Sequence, residues 1–152
     1  MNADLPPNAI KNKCFFFHFF SQHLATDMKD PELKFWTTSP NIFLVALSED
    51  SQKVVGCISY RKIASDTVEM HRTAVDMNSQ GLGIGKKLVQ ALEERAKSEG
   101  FLHMYLETST PQVAAWKMYE KCGFQFLRYL PMDVPIIDQI SGVSVVGYVK
   151  KL

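Results

Sequence analysis

The sequence predicts a single α/β domain of the mixed α+β kind, with a mostly antiparallel sheet, one parallel β-α-β crossover and flanking helices. Three observations predict it. Beyond residue 40, most segments alternate apolar and polar side chains with a period of two, while two segments repeat at helical spacing. A glycine-rich turn joins one strand-like run to the first helical run. The 152 residues suit one domain spanning 1–152, large enough to bury a core without metal or disulfide staples.

The elements follow in order. Residues 42–47 and 54–60 are β-rich runs separated by the polar stretch 48–53, a hairpin pattern. Residues 67–76 (TVEMHRTAVD) read as a third strand. From Gly83 the period changes: Ile84, Leu88, Ala91 or Leu92, and Ala96 recur at helical spacing, and Gly100 supplies a C-terminal stop. Residues 103–107 return to strand. Thr110 then offers an N-cap and Pro111 a first helical position. Ala115, Met118, Tyr119 and Cys122 line one face of this second helix, and Gly123 ends it. Residues 125–130 and 143–149 close the chain as two strands joined by the connection 131–140. The crossover through strand 67–76, helix 83–99 and strand 103–107 must run parallel and right-handed. Ligands of such sheets collect at the C-terminal ends of the parallel strands, where the glycines of this chain lie.

Composition excludes some partners. With 17 basic and 16 acidic residues the net charge is +1, which argues against a nucleic-acid binder that neutralises many phosphates. Cys14, Cys57 and Cys122 are odd in number, widely spaced and without a zinc pattern, so no metal is expected. Free thiols without a signal peptide suggest a reducing, intracellular and cytoplasmic setting. Residues 1–26 are atypical: the run 14–20 holds five of the ten phenylalanines. Seven residues are too few to span a bilayer, which takes about 20 as a helix. Packing across the sheet, packing onto a second copy of the chain as a homodimer, and a membrane-surface contact are the readings left open.

The loop Gln80-Gly81-Leu82-Gly83-Ile84-Gly85-Lys86 lies between a strand and a helix. Alternate glycines let backbone N–H groups approach an oxygen-rich ligand, and the helix N-terminus that follows adds about half a positive charge. A Walker A loop would need Gly-Lys-Ser/Thr, which Lys86-Lys87-Leu88 does not supply. A dinucleotide fingerprint would need glycine where Lys86 stands. The pattern that fits is Gln/Arg-x-x-Gly-x-Gly/Ala, and in it the chain resembles the GNAT acetyltransferases. The resemblance implies that the amides of Gly81, Leu82, Gly83, Ile84, Gly85 and Lys86, with Gln80 at the head of the motif, cradle the pyrophosphate of acetyl-coenzyme A. It also implies that the backbone of Thr73, Ala74 and Val75 holds the pantetheine arm, where this strand splays from its neighbour.

The stretch 106–124 resembles the second signature of the same family, Asn-x-x-Ala-x-x-x-Tyr-x-x-x-Gly-Phe. Ala115, Tyr119, Gly123 and Phe124 match in register, and Gln112 stands where asparagine is usual, keeping an amide for the pantetheine. Tyr119 sits on the helix stripe of a core residue. In a GNAT site, a phenol with an ordinary pKa of about 10 protonates the departing thiolate. An acceptor amine of similar pKa must first lose a proton to a base. Glu69 stands where histone-type members carry theirs, Glu107 matches the carboxylate of ribosomal-protein acetyltransferases, and His71 shares a pleat face with Glu69. All three stay open, as does a water chain. The Thr73–Val75 amides are the expected oxyanion donors.

Asp27-Met-Lys-Asp-Pro31, Glu107-Thr-Ser-Thr110 and Gln112 look like the camello-like (N-acetyltransferase 8-type) group. That group implies acetylation of a primary amine on a protein or a small amino-acid-like acceptor, by direct attack in a ternary complex, often at a membrane. The chain departs from it in residues 1–40, which lack a long apolar span and the usual opening strand and two helices. A catalytically weak coenzyme A-binding regulatory module is the alternative reading.

Overall fold

The computed structural model describes residues 41–48, 51–130 and 143–152. The expectations for residues 1–26, including the phenylalanine run, and for the connection 131–140 lie outside them.

Strand formation follows the two-residue alternation. Strand β1 (Asn41–Leu47) pairs antiparallel with β2 (Val54–Lys62), and Ser48 N–H donates to the Lys53 carbonyl at 2.9 Å across the turn. Strand β3 (Thr67–Val75) adds antiparallel to β2. Strand β4 (His103–Ser109) pairs parallel with β3, after the crossover helix α1 (Ile84–Ser98). Helix α2 (Val113–Lys121) precedes β5 (Gln125–Leu130), and β6 (Val145–Lys151) inserts between β4 and β5, giving the order β1-β2-β3-β4-β6-β5. This is the expected mixed sheet, with β3–β4 its parallel pair among the described residues.

The core lies on one face. Tyr60, Met70, Leu106 and Tyr148 stand in one register row across four strands, and each is at most 4% exposed. Leu88, Val89, Leu92 and Ala96 of α1 cover that face. Each such side chain contributes roughly 1.5–3 kcal/mol on burial. Both helices end alike. Gly100 (φ 86°) and Gly123 (φ 90°) take the left-handed conformation after their helices, and the N–H groups of Phe101 and Phe124 reach back to the carbonyls of Ala96 and Tyr119. These are Schellman ends, and each tucks a buried phenylalanine under its helix.

Several boundaries differ from expectation by one to two residues, and three of them have a reason in the contacts. Helix α2 begins at Val113 with Gln112 as its N-cap, not at Pro111 with Thr110. Thr110 is engaged elsewhere: its N–H donates to the Ser144 carbonyl at 2.8 Å, and its hydroxyl accepts from Ser144 N–H at 3.0 Å. Strand β3 ends at Val75 because the Asp76 side chain turns to accept from Asn78 N–H at 3.0 Å, capping a 3-10 turn (Met77–Ser79). Strand β6 runs to Lys151, past the apolar run. Lys150 belongs to the helix-side face because its ammonium is fully satisfied there, by both Glu93 carboxylate oxygens at 2.7 Å and the Cys122 carbonyl at 2.6 Å. One ammonium thus ties β6 to α1 and to the end of α2.

Candidate functional site

Strands β3 and β4 pair only from Thr67↔His103 to Met70↔Leu106, yet both run on, β3 to Val75 and β4 to Ser109. A bulge causes the divergence. Opposite β2, Cys57 pairs with Ala74 and Ser59 with His71, so Arg72 and Thr73 together face Ile58. Arg72 takes a φ of 55°, a strained value for a non-glycine residue. The Cys57 thiol and Ser59 hydroxyl bind the carbonyls of Arg72 and His71, at 3.3 and 3.2 Å, and hold the bend. A wedge-shaped gap opens, bounded by residues 71–75 and 107–109.

The glycine loop lies just beyond. Gln80 donates its side-chain amide to the Val75 carbonyl at 3.2 Å, bracing the loop against the end of β3. Gly81 (φ 82°) and Gly83 (φ 79°) require the left-handed conformation, and a Cβ at either would meet nothing within 4 Å. Their space is open and their backbone is what matters. Gly83 caps α1 without a side-chain hydrogen bond, so the N–H groups of the first turn, with Ile84, Gly85 and Lys86, face outward unclaimed by the helix. Leu82 and Lys86 are exposed. Gly85 differs: a Cβ there would stand 2.8 Å from Met118 Sδ, so its smallness lets α1 approach α2.

Tyr119 enters from the helix side. It is 6% exposed and meets Phe124 edge-on. Burial raises the phenol above its ordinary pKa while Thr73 partly opposes, so Tyr119 keeps its proton at neutral pH. Gln112 stands at the start of α2, its side-chain oxygen accepting from the Thr108 hydroxyl at 3.2 Å, which turns its NH₂ away from Thr108.

The carboxylates occupy the other face. Glu69 and Tyr105 are register partners, and alternation places His71 and Glu107 beside them, opposite the helices. Glu69 lies 2.8 Å from Arg61 Nη2 and 3.2 Å from His71 Nε2. The His71 contact is close in distance but lacks the alignment of a hydrogen bond, and Nε2 counts among the buried atoms without such a partner. Burial acts to raise the Glu69 carboxyl, but His71 and then Arg61 outweigh it and hold the group below its usual range. Glu107 is exposed and accepts a 2.7 Å hydrogen bond from the Tyr105 hydroxyl. Burial, then Glu107, push the Tyr105 phenol up, so it remains a donor. Ser109 Oγ, at the end of β4, is buried without a hydrogen-bond partner. Buried polar atoms are rarely left so, and His71 Nε2 and Ser109 Oγ flank the gap.

The fold therefore gathers Thr73, Tyr119, the glycine loop and Gln112 on or beside the helix face, and Glu69, His71 and Glu107 on the other. The two groups meet only at the gap. Arg61, Tyr105 and Ser109 were missed from the sequence. Tyr105 and Ser109 could have been found, since 105, 107 and 109 alternate onto one face. Arg61 could not, because only strand register brings it there. Among the described residues no cluster of His, Cys, Asp or Glu is arranged to hold a metal, and no helix is long and apolar enough to cross a membrane.

A family model for the acetyltransferase (GNAT) family matches residues 10–124. An N-acetylaspartate synthetase of Xenopus tropicalis is 37% identical over 103 residues, covering 67% of this chain and 37% of that protein. The Xenopus tropicalis protein named "Probable N-acetyltransferase camello" is 34% identical over 135 residues, covering 88% and 60%. The chain thus spans less than two thirds of these curated relatives. A Bacillus anthracis chain assigned as a streptothricin acetyltransferase, solved in complex with acetyl coenzyme A, superposes with a TM-score of 0.70 at 24% identity, covering 79% of this chain and 67% of that one. That likeness concerns the fold.

Proposed function

The chain belongs to the acetyltransferase (GNAT) family, and on that premise we propose that it transfers the acetyl group of acetyl-coenzyme A to a primary amine by direct attack in a ternary complex. The acceptor class is a protein amine or a small amino-acid-like amine. One observation carries the reading: the gap between β3 and β4, with a buried, protonated Tyr119 at its helix side and, at the other, the Ser109 Oγ left without a hydrogen-bond partner beside the Glu69–His71 pair.

The roles follow from the two faces. Amides of Gly81, Leu82, Gly83, Ile84, Gly85 and Lys86 bind the pyrophosphate at the N-terminus of α1. The edge of β3 at Thr73, Ala74 and Val75 holds the pantetheine, with Gln112 donating from the start of α2. Gln80 acts by bracing the loop. The acceptor arrives from the opposite face as an ammonium. Glu107 accepts its proton, directly or through water. Glu69 is the weaker base, because Arg61 and His71 already stabilise its charge. The amine nitrogen bonds to the thioester carbon, the carbon–sulfur bond breaks, and Tyr119 protonates the leaving thiolate. Amides of Thr73–Val75 stabilise the tetrahedral oxyanion. Free Cys57 and Cys122 support a reducing, cytoplasmic setting. The phenylalanines of residues 15–20 support a contact with a second copy or a membrane surface, which sedimentation with vesicles and solution mass separate.

Thiol release from acetyl-coenzyme A across a panel of amines tests the reading. Tyr119→Phe should keep the fold and acetyl-coenzyme A affinity while lowering turnover roughly 10²-fold. Binding of acetyl-coenzyme A without thiol release for any amine would instead identify a regulatory module.

A further inference from the structure

The face opposite the helices carries two arginines in contrasting situations. Arg61 donates to Glu69 at 2.8 and 2.9 Å. Arg128 is exposed and has no ion-pair partner among the described residues. A second bulge puts Arg128 on this face. Phe126 pairs with Tyr148 and Arg128 with Gly147, leaving Leu127 as the extra residue. In a regular strand Arg128 would share the face of Phe126. With the bulge, Tyr129 joins Phe126 instead, their rings 5.3 Å apart, and the Arg128 charge acts on the Tyr105 phenol.

Gly147 is the register partner of both Glu107 and Arg128. Neighbouring strands lie about 4.8 Å apart, so the two residues flank Gly147 with their backbones about 10 Å apart. A Cβ on Gly147 would stand 2.9 Å from the Tyr105 hydroxyl, so glycine is what lets that ring lie across β6 and donate to Glu107. The result is a slot floored by Gly147 and Tyr105, with a carboxylate on the wall next to the gap and, on the wall away from it, a guanidinium without an ion-pair partner among the described residues.

We propose that this slot is the acceptor subsite, and that it selects an amine carrying a carboxylate within a few bonds: Glu107 takes the ammonium and Arg128 the carboxylate. The acceptor is then a free amino acid and not a lysine on a protein surface. This rests on the acetyltransferase reading and narrows its acceptor. The planar guanidinium can bind a carboxylate through two parallel hydrogen bonds, which an ammonium cannot. Arg128 is the specificity-determining residue.

The test compares the whole chain with Arg128→Met and Arg128→Lys, using alanine, glutamate and lysine against their α-carboxamides. Arg128→Met should raise KM for the acids at least tenfold, or about 1.4 kcal/mol, leaving kcat, the carboxamides, acetyl-coenzyme A affinity and melting temperature unchanged. Arg128→Lys should recover only part of the loss. Equal effects on acids and carboxamides, no effect on either, or wild-type preference for carboxamides or for a lysine-containing peptide would overturn the proposal. Calorimetric titration of the same compounds into the coenzyme A-bound protein separates the two readings. Arg128-dependent binding of acids without turnover leaves the slot standing and removes the acetyltransferase reading. Turnover indifferent to Arg128 does the reverse.

Discussion

Two carboxylate–cation pairs lie on opposite faces of the same sheet, and they differ in how completely each cation is satisfied. On the helix side Lys150 places its three donors on Glu93 Oε1, Glu93 Oε2 and the Cys122 carbonyl, and both side chains are largely buried, at 21% and 9% exposure. On the other side Arg61 gives two donors to one oxygen of Glu69 and remains 59% exposed, while His71 stands close by without a hydrogen bond. The first pair is closed and holds three elements together. The second has capacity left over, beside a gap. A closed pair fixes geometry, and an open one can respond to a ligand or a proton.

The largest expected effect tests the closed side. Lys150→Met leaves Glu93 buried without its partner and should cost roughly 3–5 kcal/mol in denaturant unfolding. Adding Glu93→Leu should recover most of it, since the apolar pair no longer strands a charge. A single variant as stable as wild type would show that Lys150 does not lock the helices.

Next comes the group where the faces meet. The roughly 10²-fold loss expected for Tyr119→Phe corresponds to about 2.7 kcal/mol of transition-state stabilisation, with an unchanged melting temperature. A fall in melting temperature with full turnover per folded molecule would make Tyr119 a core residue only.

A smaller effect separates the glycines. Gly83→Val forces a β-branched residue into φ 79° and should weaken acetyl-coenzyme A binding about tenfold, near 1.4 kcal/mol. Gly85→Ala puts a Cβ 2.8 Å from Met118 Sδ, a clash that a rotation of that unbranched side chain can relieve without moving the loop, so its affinity should change less. Calorimetry giving the opposite order would reverse the assignments of loop and packing glycine.

The smallest effect reads the open pair through pH. Glu69 titrates below its ordinary value in the folded state. Its contribution to stability is therefore fully present above the unfolded carboxyl pKa of about 4.3 and is lost as pH falls through the lower folded value. Glu69→Gln should flatten that acid loss of melting temperature and leave the acidic limb of the rate profile in place, whereas Glu107→Gln should remove the limb. If only Glu69→Gln removed it, the base would belong to the Glu69–His71 pair.

Period and punctuation were enough for most of the fold. Ile84, Leu88, Leu92 and Ala96 mark a helix face whatever they pack against, and Gly100 and Gly123 stop their helices because only glycine enters the left-handed region freely. The glycine loop and the Tyr119 helix were legible for the same reason, since their signals lie within a few residues of one chain segment. Thr110 misled because its competing partner, Ser144, is remote in sequence. Lys150 fell outside the expected strand 143–149, because the partners that hold it there, Glu93 and the Cys122 carbonyl, come from other elements. What tertiary structure alone decided is which face each polar residue occupies. One extra residue at Arg72–Thr73, and another at Leu127, reverses the alternation beyond it, and no local pattern marks either bulge. Those two reversals open the gap and bring Arg128 to the same face as Glu107. The chemistry-bearing residues could be read from the sequence, but their juxtaposition depends on strand register, which is set by pairing between distant segments.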